Sequence, residues 1–298
     1  MKVLRRALGG LFALVGLLLL WGLLEPYVID EQAFEVALPS LPSVWEGQQV
    51  AVIADLQVGM WLDNTLTVRR IVSRLLETRP ALVLIAGDFI YHPGEDEGAV
   101  IDEAVALVAP LAEAGIPTYA VLGNHDYAMP TEQATKDEAL AEVLRTALEA
   151  VGVRVLHNQA VPLSSPSGNA PSSPLYLAGV GAHIPREDDP QAALAELPQN
   201  APRLVVMHHP ESFKAFPAGS APLAVAGHTH GGQFRIPFTP SWTWMSYTRE
   251  DEVHTDGWIR DYGEAGNRLY VNRGIGFSVV PLRLNCPPEL TLFTLSRS

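Results

Sequence analysis

The chain of 298 residues is long enough for one α/β domain of about 250 residues and a membrane anchor, and its 48% apolar content is typical of a globular protein. The formal net charge of −13 argues against an extended basic surface, so nucleic acid is not expected as a partner. The single cysteine, Cys286, excludes an internal disulfide and a cysteine-based zinc cluster. The sequence leaves the oligomeric state open.

Residues 1–26 are predicted to form a membrane anchor. An uncharged run from Ala7 to Leu24 follows Lys2, Arg5 and Arg6, and at 1.5 Å per residue it reaches about 27 Å, close to the thickness of a bilayer core. A cleaved signal peptide is the alternative, although no clear Ala-x-Ala site follows the run. The basic residues before the run and the acidic residues after it predict a single-pass cell-membrane protein whose domain lies outside the cytoplasm.

Beyond a predicted linker, residues 27–47, apolar strands alternate with helical patterns. Strands are predicted over 50–54, 81–86 and 118–122, and helices over 66–77, 99–114 and 138–150. This βαβαβ order predicts a parallel sheet. Short strands at 175–180, 204–207, 223–226, 268–271 and 290–295 suggest a second sheet with little helix. Residues 164–174 are predicted to form an exposed loop.

Five of the predicted strands end in side chains that can bind a metal ion. Each motif taken alone has an ordinary structural explanation: a turn for Asp55 with Gln57 and for Gly87 with Asp88, and a core or surface position for a lone histidine. Ligand sites of open α/β sheets lie beyond the carboxyl ends of strands, so the five motifs together predict one shared site. In chain order the candidates are Asp55 and Gln57; Asp88; Asn124, His125 and Asp126; His208 and His209; and His228 and His230.

The candidate ligands are carboxylates, amides and imidazoles, without a thiolate. Such a mixed set of oxygen and nitrogen ligands suits Mn, Fe, Zn, Co or Ni. It is less typical of a Ca or Mg site, in which all the ligands are oxygen atoms. The set is too large for one tetrahedral ion. A shared carboxylate can hold two ions about 3.5 to 4 Å apart, which clamp a phosphoryl group and supply a hydroxide for in-line displacement.

The motifs DLQ, GD, GNHD, HHPE and GHTHGGQ, in this order, resemble those of the calcineurin-like metallophosphoesterase superfamily over about residues 48–296. The tail from Leu269 resembles the membrane-associated bacterial branch of that superfamily. For a domain spanning 48–298, the resemblance implies an α/β fold, a four-layer αββα sandwich of two mixed β-sheets. It also implies a phosphoesterase that uses two divalent ions, Mn, Fe or Zn, with Mg as an option at the Gln57 site.

The resemblance also implies a role for each candidate residue. His125 is expected to protonate the leaving oxygen and Asp126 to orient the His125 imidazole. His209 follows a ligand directly and is left outside the site, as a residue that supports the ligands or lies at the surface. Most relatives carry histidine in place of Gln57, so the first metal site is expected to be weaker and to favour harder ions. The first metal is assigned to Asp55, Gln57, Asp88 and His230, and the second to Asp88, Asn124, His208 and His228.

The substrate is the least constrained prediction. Related anchored enzymes include phosphodiesterases and UDP-diacylglucosamine pyrophosphatases, so the resemblance implies a membrane-proximal phosphodiester or pyrophosphate, with a lipid-linked phosphoester as one version. The competing function is a scaffold that has lost catalysis and acts as a membrane-tethered binding module; the presence of His125 favours the enzyme. Aromatic residues in a long segment either contact the membrane or a lipid-like group, or pack that segment: Phe238, Trp242, Trp244, Tyr247 and Trp258.

Overall fold

The computed structural model describes residues 2–94, 96–166, 174–198, 200–236, 243 and 254–298. Its helices are α1 (Lys2–Leu24), α2 (Thr65–Thr78), α3 (Glu97–Glu113), α4 (Glu138–Ala150) and α5 (Pro190–Leu194). Its strands are β1 (Asp30–Leu38), β2 (Gln49–Ile53), β3 (Leu82–Ala86), β4 (Thr118–Val121), β5 (Arg154–Val155), β6 (Gln159–Pro162), β7 (Tyr176–Gly179), β8 (Arg203–Val206), β9 (Ala224–Ala226), β10 (Gly257–Ile259), β11 (Leu269–Val271) and β12 (Glu289–Arg297).

Two mixed six-stranded sheets form the centre of the domain. The first has the strand order β1-β12-β2-β3-β4-β5, and the second has the order β10-β11-β9-β8-β7-β6. The strands β2 to β5 are parallel, as the alternation of apolar strands and helices predicts. Helix α2 shows why that pattern is informative, because Val68, Ile71, Val72 and Leu75 recur at helical spacing and are all buried.

The apolar core consists of three clusters, one at each interface between the four layers of helices and sheets, which confirms the predicted αββα sandwich. Helices α2, α3 and α4 pack on the outer face of the first sheet. The inner faces of the two sheets enclose Trp45, Tyr270 and Phe293. On the outer face of the second sheet, Ala193 of α5 packs with Phe213 and other apolar residues.

Two assignments made from the sequence are corrected by the strand pairing. Strand β12, predicted in the second sheet, lies in the first sheet, antiparallel to β2. The predicted linker, residues 27–47, contains β1, which pairs with β12 over nine residues. A search for apolar runs misses β1 because every second residue faces solvent and its edge carries Glu31 and Glu35.

Helix α1 is exposed along nearly its whole length. Residues Lys2–Tyr27 are long and apolar enough to cross a membrane, with a mean hydropathy of 2.3. The C-terminal end of α1 contacts the domain, since Gly22 O accepts from Arg283 N at 3.0 Å. The Glu25 carboxylate accepts hydrogen bonds from the backbone N–H groups of Asn285 and Cys286.

Several residues of the predicted loops lie outside the described residues. These are 167–173 of the predicted exposed loop and four of the five aromatic residues, Phe238, Trp242, Trp244 and Tyr247. The fifth, Trp258, lies in β10 and packs edge-on against Phe34 and Tyr270, with ring centroids 5.8 and 5.3 Å away. Trp258 therefore contributes to packing between the sheets.

Candidate metal centre

All of the candidate ligands meet at one end of the two sheets, beyond the carboxyl ends of β2, β3, β4, β8 and β9. Tight turns after the strands bring the ligands to this end. Strand β2, for example, ends at Ile53, so the alternation of side chains along a strand does not extend to Asp55 and Gln57. Five of the seven predicted ligands have positive φ angles, which L-residues adopt rarely. They are Asp55, Gln57, Asp88, His228 and His230, with φ between 50° and 72°.

The first cluster brings Asp55, Asp88 and His230 together. One ligand atom from each of these three residues lies within 4.8 Å of the other two, and all three side chains are buried. Gln57 Nε2 donates to Asp88 Oδ2 at 2.8 Å and lies 3.4 Å from His230 Nε2. The structure therefore gathers the four residues predicted to hold the first metal.

The second cluster joins Asn124 to the histidines of β8 and β9. Asn124 Oδ1 lies 3.2 Å from His208 Nε2 and 3.1 Å from His228 Nδ1. His208 Nε2 is also 3.3 Å from Asp88 Oδ2, so Asp88 is shared between the two clusters, as the bridging prediction requires. His208 Nδ1 is fixed from behind by a 2.7 Å contact with Ala86 O.

His209, expected outside the site, lies within it. Its ring centroid is 4.1 Å from that of His228, and its ligand atom joins those of His208 and His228 within 4.8 Å. The sequence could not place this ring because β8 ends at Val206, so strand alternation no longer fixes the direction of residues 208 and 209. His183 N donates to His209 Nδ1 at 3.2 Å.

Buried charge in the two clusters fits divalent cations. Burial raises the pKa of the Asp55 carboxyl to about 7. Burial also acts to raise the pKa of Asp88, but the charges of His208 and His125 outweigh it, and the pKa is lowered. Gln57 Oε1 is buried and has no hydrogen-bond partner among the described residues. Oxygen and imidazole ligands crowded around a shared carboxylate are the set that two divalent ions require, so the residues present fit the predicted metals.

Asp126 has a different position from the one expected. Its carboxylate accepts four hydrogen bonds from backbone N–H groups, those of Asp88, Phe89, Ile90 and Gly123, at 2.8 to 3.2 Å. The prediction that Asp126 orients the His125 imidazole is therefore wrong. Asp126 instead ties the loop after β3 to the loop after β4, and so holds Asp88 beside Asn124.

The residue that positions His125 is Tyr91, which the sequence did not reveal. His125 Nδ1 lies 2.7 Å from Tyr91 O, and the two rings stack with centroids 4.9 Å apart and an interplanar angle of 22°. A carbonyl can only accept, so Nδ1 carries a hydrogen and Nε2 is the nitrogen that is free to exchange a proton. His125 N also donates to Asp88 Oδ1 at 3.0 Å.

Two further elements behind the first cluster have no signal in a motif search. A Cβ added to Gly274 would lie 2.5 Å from Asp55 Oδ2, so only glycine allows this close approach. Arg283 is fully buried, and its guanidinium donates to the carbonyls of Gly276, Arg273 and His230 at 2.7 to 3.4 Å. Arg283 thus links the turn that carries His230 to the turn that contacts Asp55.

A four-layer αββα sandwich that gathers two such clusters at its strand ends is the structure of a metallophosphoesterase. The chain belongs to the calcineurin-like phosphoesterase family, whose sequence profile matches residues 49–232. The fold of this family implies divalent metal ions, and both clusters offer ligands for them. The prediction of a phosphoester hydrolase is confirmed by this membership and by the relatives described next.

Three relatives show how far the similarity extends. The chain is 31% identical over 252 residues to the phosphodiesterase YaeI of Escherichia coli (strain K12), which covers 83% of this chain and 82% of the relative. It is 26% identical to an uncharacterized metallophosphoesterase, YkuE of Bacillus subtilis (strain 168), covering 91% and 87%. It is 23% identical to the UDP-2,3-diacylglucosamine pyrophosphatase LpxG of Chlamydia muridarum, covering 90% of each chain.

Proposed function

We propose that this protein hydrolyses a phosphodiester or a pyrophosphate at a membrane surface, with two divalent ions held by the clusters around Asp88. The observation that carries the proposal is the position of Asp88, whose Oδ2 contacts Gln57 of the first cluster and His208 of the second. Asp55, Gln57, Asp88 and His230 would hold one ion, and Asp88, Asn124, His208 and His228 the other. Bound divalent ions neutralise phosphoryl charge and lower the pKa of a water molecule.

His125 is proposed as the proton donor to the leaving oxygen. Its Nδ1 is fixed on Tyr91 O, so its Nε2 is available for proton transfer. Departure of an alkoxide is costly without a proton, and general-acid catalysis supplies about 10² to 10⁴-fold in rate. Asp126 acts indirectly, by holding the loops that carry Asp88 and His125.

A cavity beside the second cluster supports the diphosphate version of the substrate. It has a volume of about 450 Å³ and is lined by Met129, Glu132, Lys136, His183, Ile184, Pro185 and Arg186. Met129 O accepts from Asn124 Nδ2 at 2.7 Å, so the cavity adjoins a proposed ligand. Arg186 offers a cation that suits the second anionic group of a pyrophosphate or the far side of a diester, whereas Lys136 is paired with Glu138 and Glu187, and His183 with Asp188. The names of YaeI and LpxG include one activity of each kind.

The membrane location is proposed from α1. We infer that residues 1–26 anchor the chain in the cell membrane as a single span, and that the charge bias around the span places the domain outside the cytoplasm. Full-length protein is expected to sediment with membranes, and the domain to be open to protease in spheroplasts. Protection in spheroplasts, with digestion in inverted vesicles, would reverse the topology.

The competing function, a membrane-tethered scaffold without catalysis, is separated by a metal add-back assay. Detergent-solubilised full-length protein is treated with a chelator, and hydrolysis of bis-p-nitrophenyl phosphate is measured after Mn, Zn or Mg is restored. Recovery of turnover with at least one metal is the expected result. A protein that binds two ions per chain and hydrolyses neither this ester nor an alkyl ester would be the scaffold.

A further inference from the structure

The exposed apolar side chains of the domain are concentrated around the base of α1. Among the described residues beyond α1, eight large apolar side chains are exposed. One of them, Val143, lies on α4. We call the other seven the anchor rim. They are Tyr27, Val28, Trp61, Leu62, Leu66, Ile236 and Val279, with exposed fractions from 37% to 74%.

Hydrogen bonds fix the rim segments to the end of α1. Asn64, between Leu62 and Leu66, donates to Pro26 O at 3.0 Å, and Thr67 Oγ1 donates to the same carbonyl at 2.8 Å. The turn that carries Val279 is held by the bond from Arg283 N to Gly22 O. Ile236 follows Arg235, whose N–H donates to Leu284 O, next to Arg283. The rim segments therefore lie beside the point at which the helix leaves the domain.

The same segments lead directly to the first metal cluster. Trp61 follows Gln57 by four residues in one loop. On the other side of the helix base, Gln233 grips the Val279 turn, since its Nε2 donates to Ser278 O at 3.0 Å and to Val280 O at 2.8 Å. Gln233 closes the short turn that begins at His230. Two short segments therefore connect the rim to the first cluster, one through Gln57 and the other through Gln233.

We propose that the anchor rim lies in the interfacial layer of the leaflet that α1 enters, and so holds the metal centre against the lipid surface. This inference rests on the proposed membrane anchoring. A patch of exposed apolar residues marks an interaction surface, and Trp at the edge of a membrane span is characteristic of the interface between lipid and water. Each rim residue contributes modestly, but α1 already confines the rim to the surface, so little further free energy is needed.

The position of the rim defines the class of substrate that the centre reaches best. A phosphate attached to a lipid anchored in the same leaflet lies at the depth of the headgroups, and the short loop from Gln57 to Trp61 keeps the first cluster close to the rim. A soluble phosphoester gains nothing from this placement. The substrate favoured by the rim is therefore a phosphodiester or pyrophosphate carried on a membrane lipid.

The test uses full-length protein in phosphatidylcholine vesicles with an environment-sensitive fluorophore on one introduced cysteine. Trp61→Cys and Val279→Cys report on the rim, and Val143→Cys, with 51% exposure, is the matched control. The buried Cys286 is expected to stay unlabelled, which wild-type protein checks. Labels at 61 and 279 are expected to be quenched by nitroxide lipids and protected from iodide, whereas the label at 143 shows the reverse.

Two outcomes would overturn the proposal. Iodide access at 61 and 279 equal to that at 143 would leave the rim in water. Protection from both quenchers would mean that a second copy of the chain or another protein covers it. These readouts require no catalysis, so failure of the protein to hydrolyse both bis-p-nitrophenyl phosphate and an alkyl ester would refute the proposed function without affecting the rim.

A kinetic comparison tests the consequence for the substrate. The double variant Trp61→Ser with Val279→Ser is expected to lose about tenfold in hydrolysis of a lipid-borne phosphodiester in the same vesicles, which corresponds to about 1.4 kcal/mol. Its hydrolysis of soluble bis-p-nitrophenyl phosphate is expected to stay within about twofold of wild type. Equal losses on both esters would show that the substitutions damage the centre and would contradict a role at the lipid surface.

Discussion

Nε2 of Gln57 donates a hydrogen bond to Oδ2 of Asp88 at 2.8 Å, while Oε1 of the same amide is buried without a partner among the described residues. An amide can rotate by 180° with little change in shape, which exchanges its oxygen and its nitrogen. In one orientation Gln57 supports Asp88 as a donor, and in the other it presents a ligand oxygen between Asp88 and His230. An ion held in the first site would favour the second orientation.

Gln57 is expected to tune the first site. Gln57→His should raise the affinity of that site for Zn by about tenfold and for Mg by less, because imidazole is a better donor to borderline ions than an amide oxygen is. Gln57→Ala should lower occupancy of the first site alone. Calorimetric titration of both variants with Mn, Zn and Mg is the measurement. Unchanged affinities in both would return Gln57 to a purely structural turn residue.

Replacement of Asp88 should affect both ions at once. Asp88→Asn is expected to remove one or both metals, since a neutral amide cannot offset the charge that two dications share, and turnover should fall by at least about 10³-fold. Metal content per chain, measured by mass spectrometry after gel filtration, checks this. Asp102→Asn, at an exposed position on α3, is the control. Two ions per chain with normal turnover in Asp88→Asn would contradict the shared position.

His125 should matter for turnover and not for metal binding. His125→Ala is expected to keep both ions and lose about 10² to 10⁴-fold in kcat on alkyl esters, with a smaller loss on nitrophenyl esters, whose leaving group needs no proton. His157→Ala, at an exposed histidine, is the control. Equal losses on the two kinds of ester would count against a proton donor. Tyr91→Leu keeps the carbonyl that fixes Nδ1, so its loss in kcat should be smaller than that of His125→Ala.

Asp126 should stabilise the fold of the site without any effect on proton transfer. Asp126→Ala leaves four buried N–H groups without their acceptor and should cost about 3 kcal/mol or more of unfolding free energy. Asp137→Ala removes an Asp that accepts one N–H, from Leu140, and should cost about 1 kcal/mol. Thermal unfolding of the chelated protein in detergent compares the two.

The leaving-group dependence of Asp126→Ala distinguishes this role from the one expected at first. If Asp126 acted on the His125 imidazole, the variant would lose more activity on alkyl esters than on nitrophenyl esters. Because the carboxylate bonds to backbone groups instead, the ratio of the two rates should equal that of wild type. A ratio that shifts as it does in His125→Ala would restore an orienting role.

The parts predicted from sequence and the parts missed differ in physical origin. The ligands could be predicted because Asp, Asn and His at strand ends are chemically distinctive, and parallel strands bring their carboxyl ends together. The partners of Asp126 could not, because they are backbone N–H groups, which every residue carries. Arg283 and His230 are separated by 53 residues in the sequence. Their contact depends on turns with left-handed backbone conformations, which no pattern of residue types predicts.

The stable domain is expected to begin before residue 48, because β1 belongs to the first sheet. The sequence predicts a domain that begins at residue 48, yet β1 and the segment after it supply four apolar side chains to the core between the sheets: Val36, Leu38, Leu41 and Trp45, each at most 2% exposed. At about 1.5 to 3 kcal/mol each, their removal costs about 6 to 12 kcal/mol, which is comparable to the whole stability of a domain. It also exposes one edge of β12.

Two fragments test this boundary directly. A fragment beginning at Asp30 retains β1 and the ion pair between Asp30 and Arg273, and is expected to be soluble and monomeric. A fragment beginning at Gln48 exposes the unpaired edge of β12 and is expected to aggregate. Size-exclusion chromatography of the soluble fraction, with metal content per chain, compares the two. A monomeric fragment from Gln48 that binds as much metal as the longer one would show that β1 is dispensable, and would restore residues 27–47 as a linker.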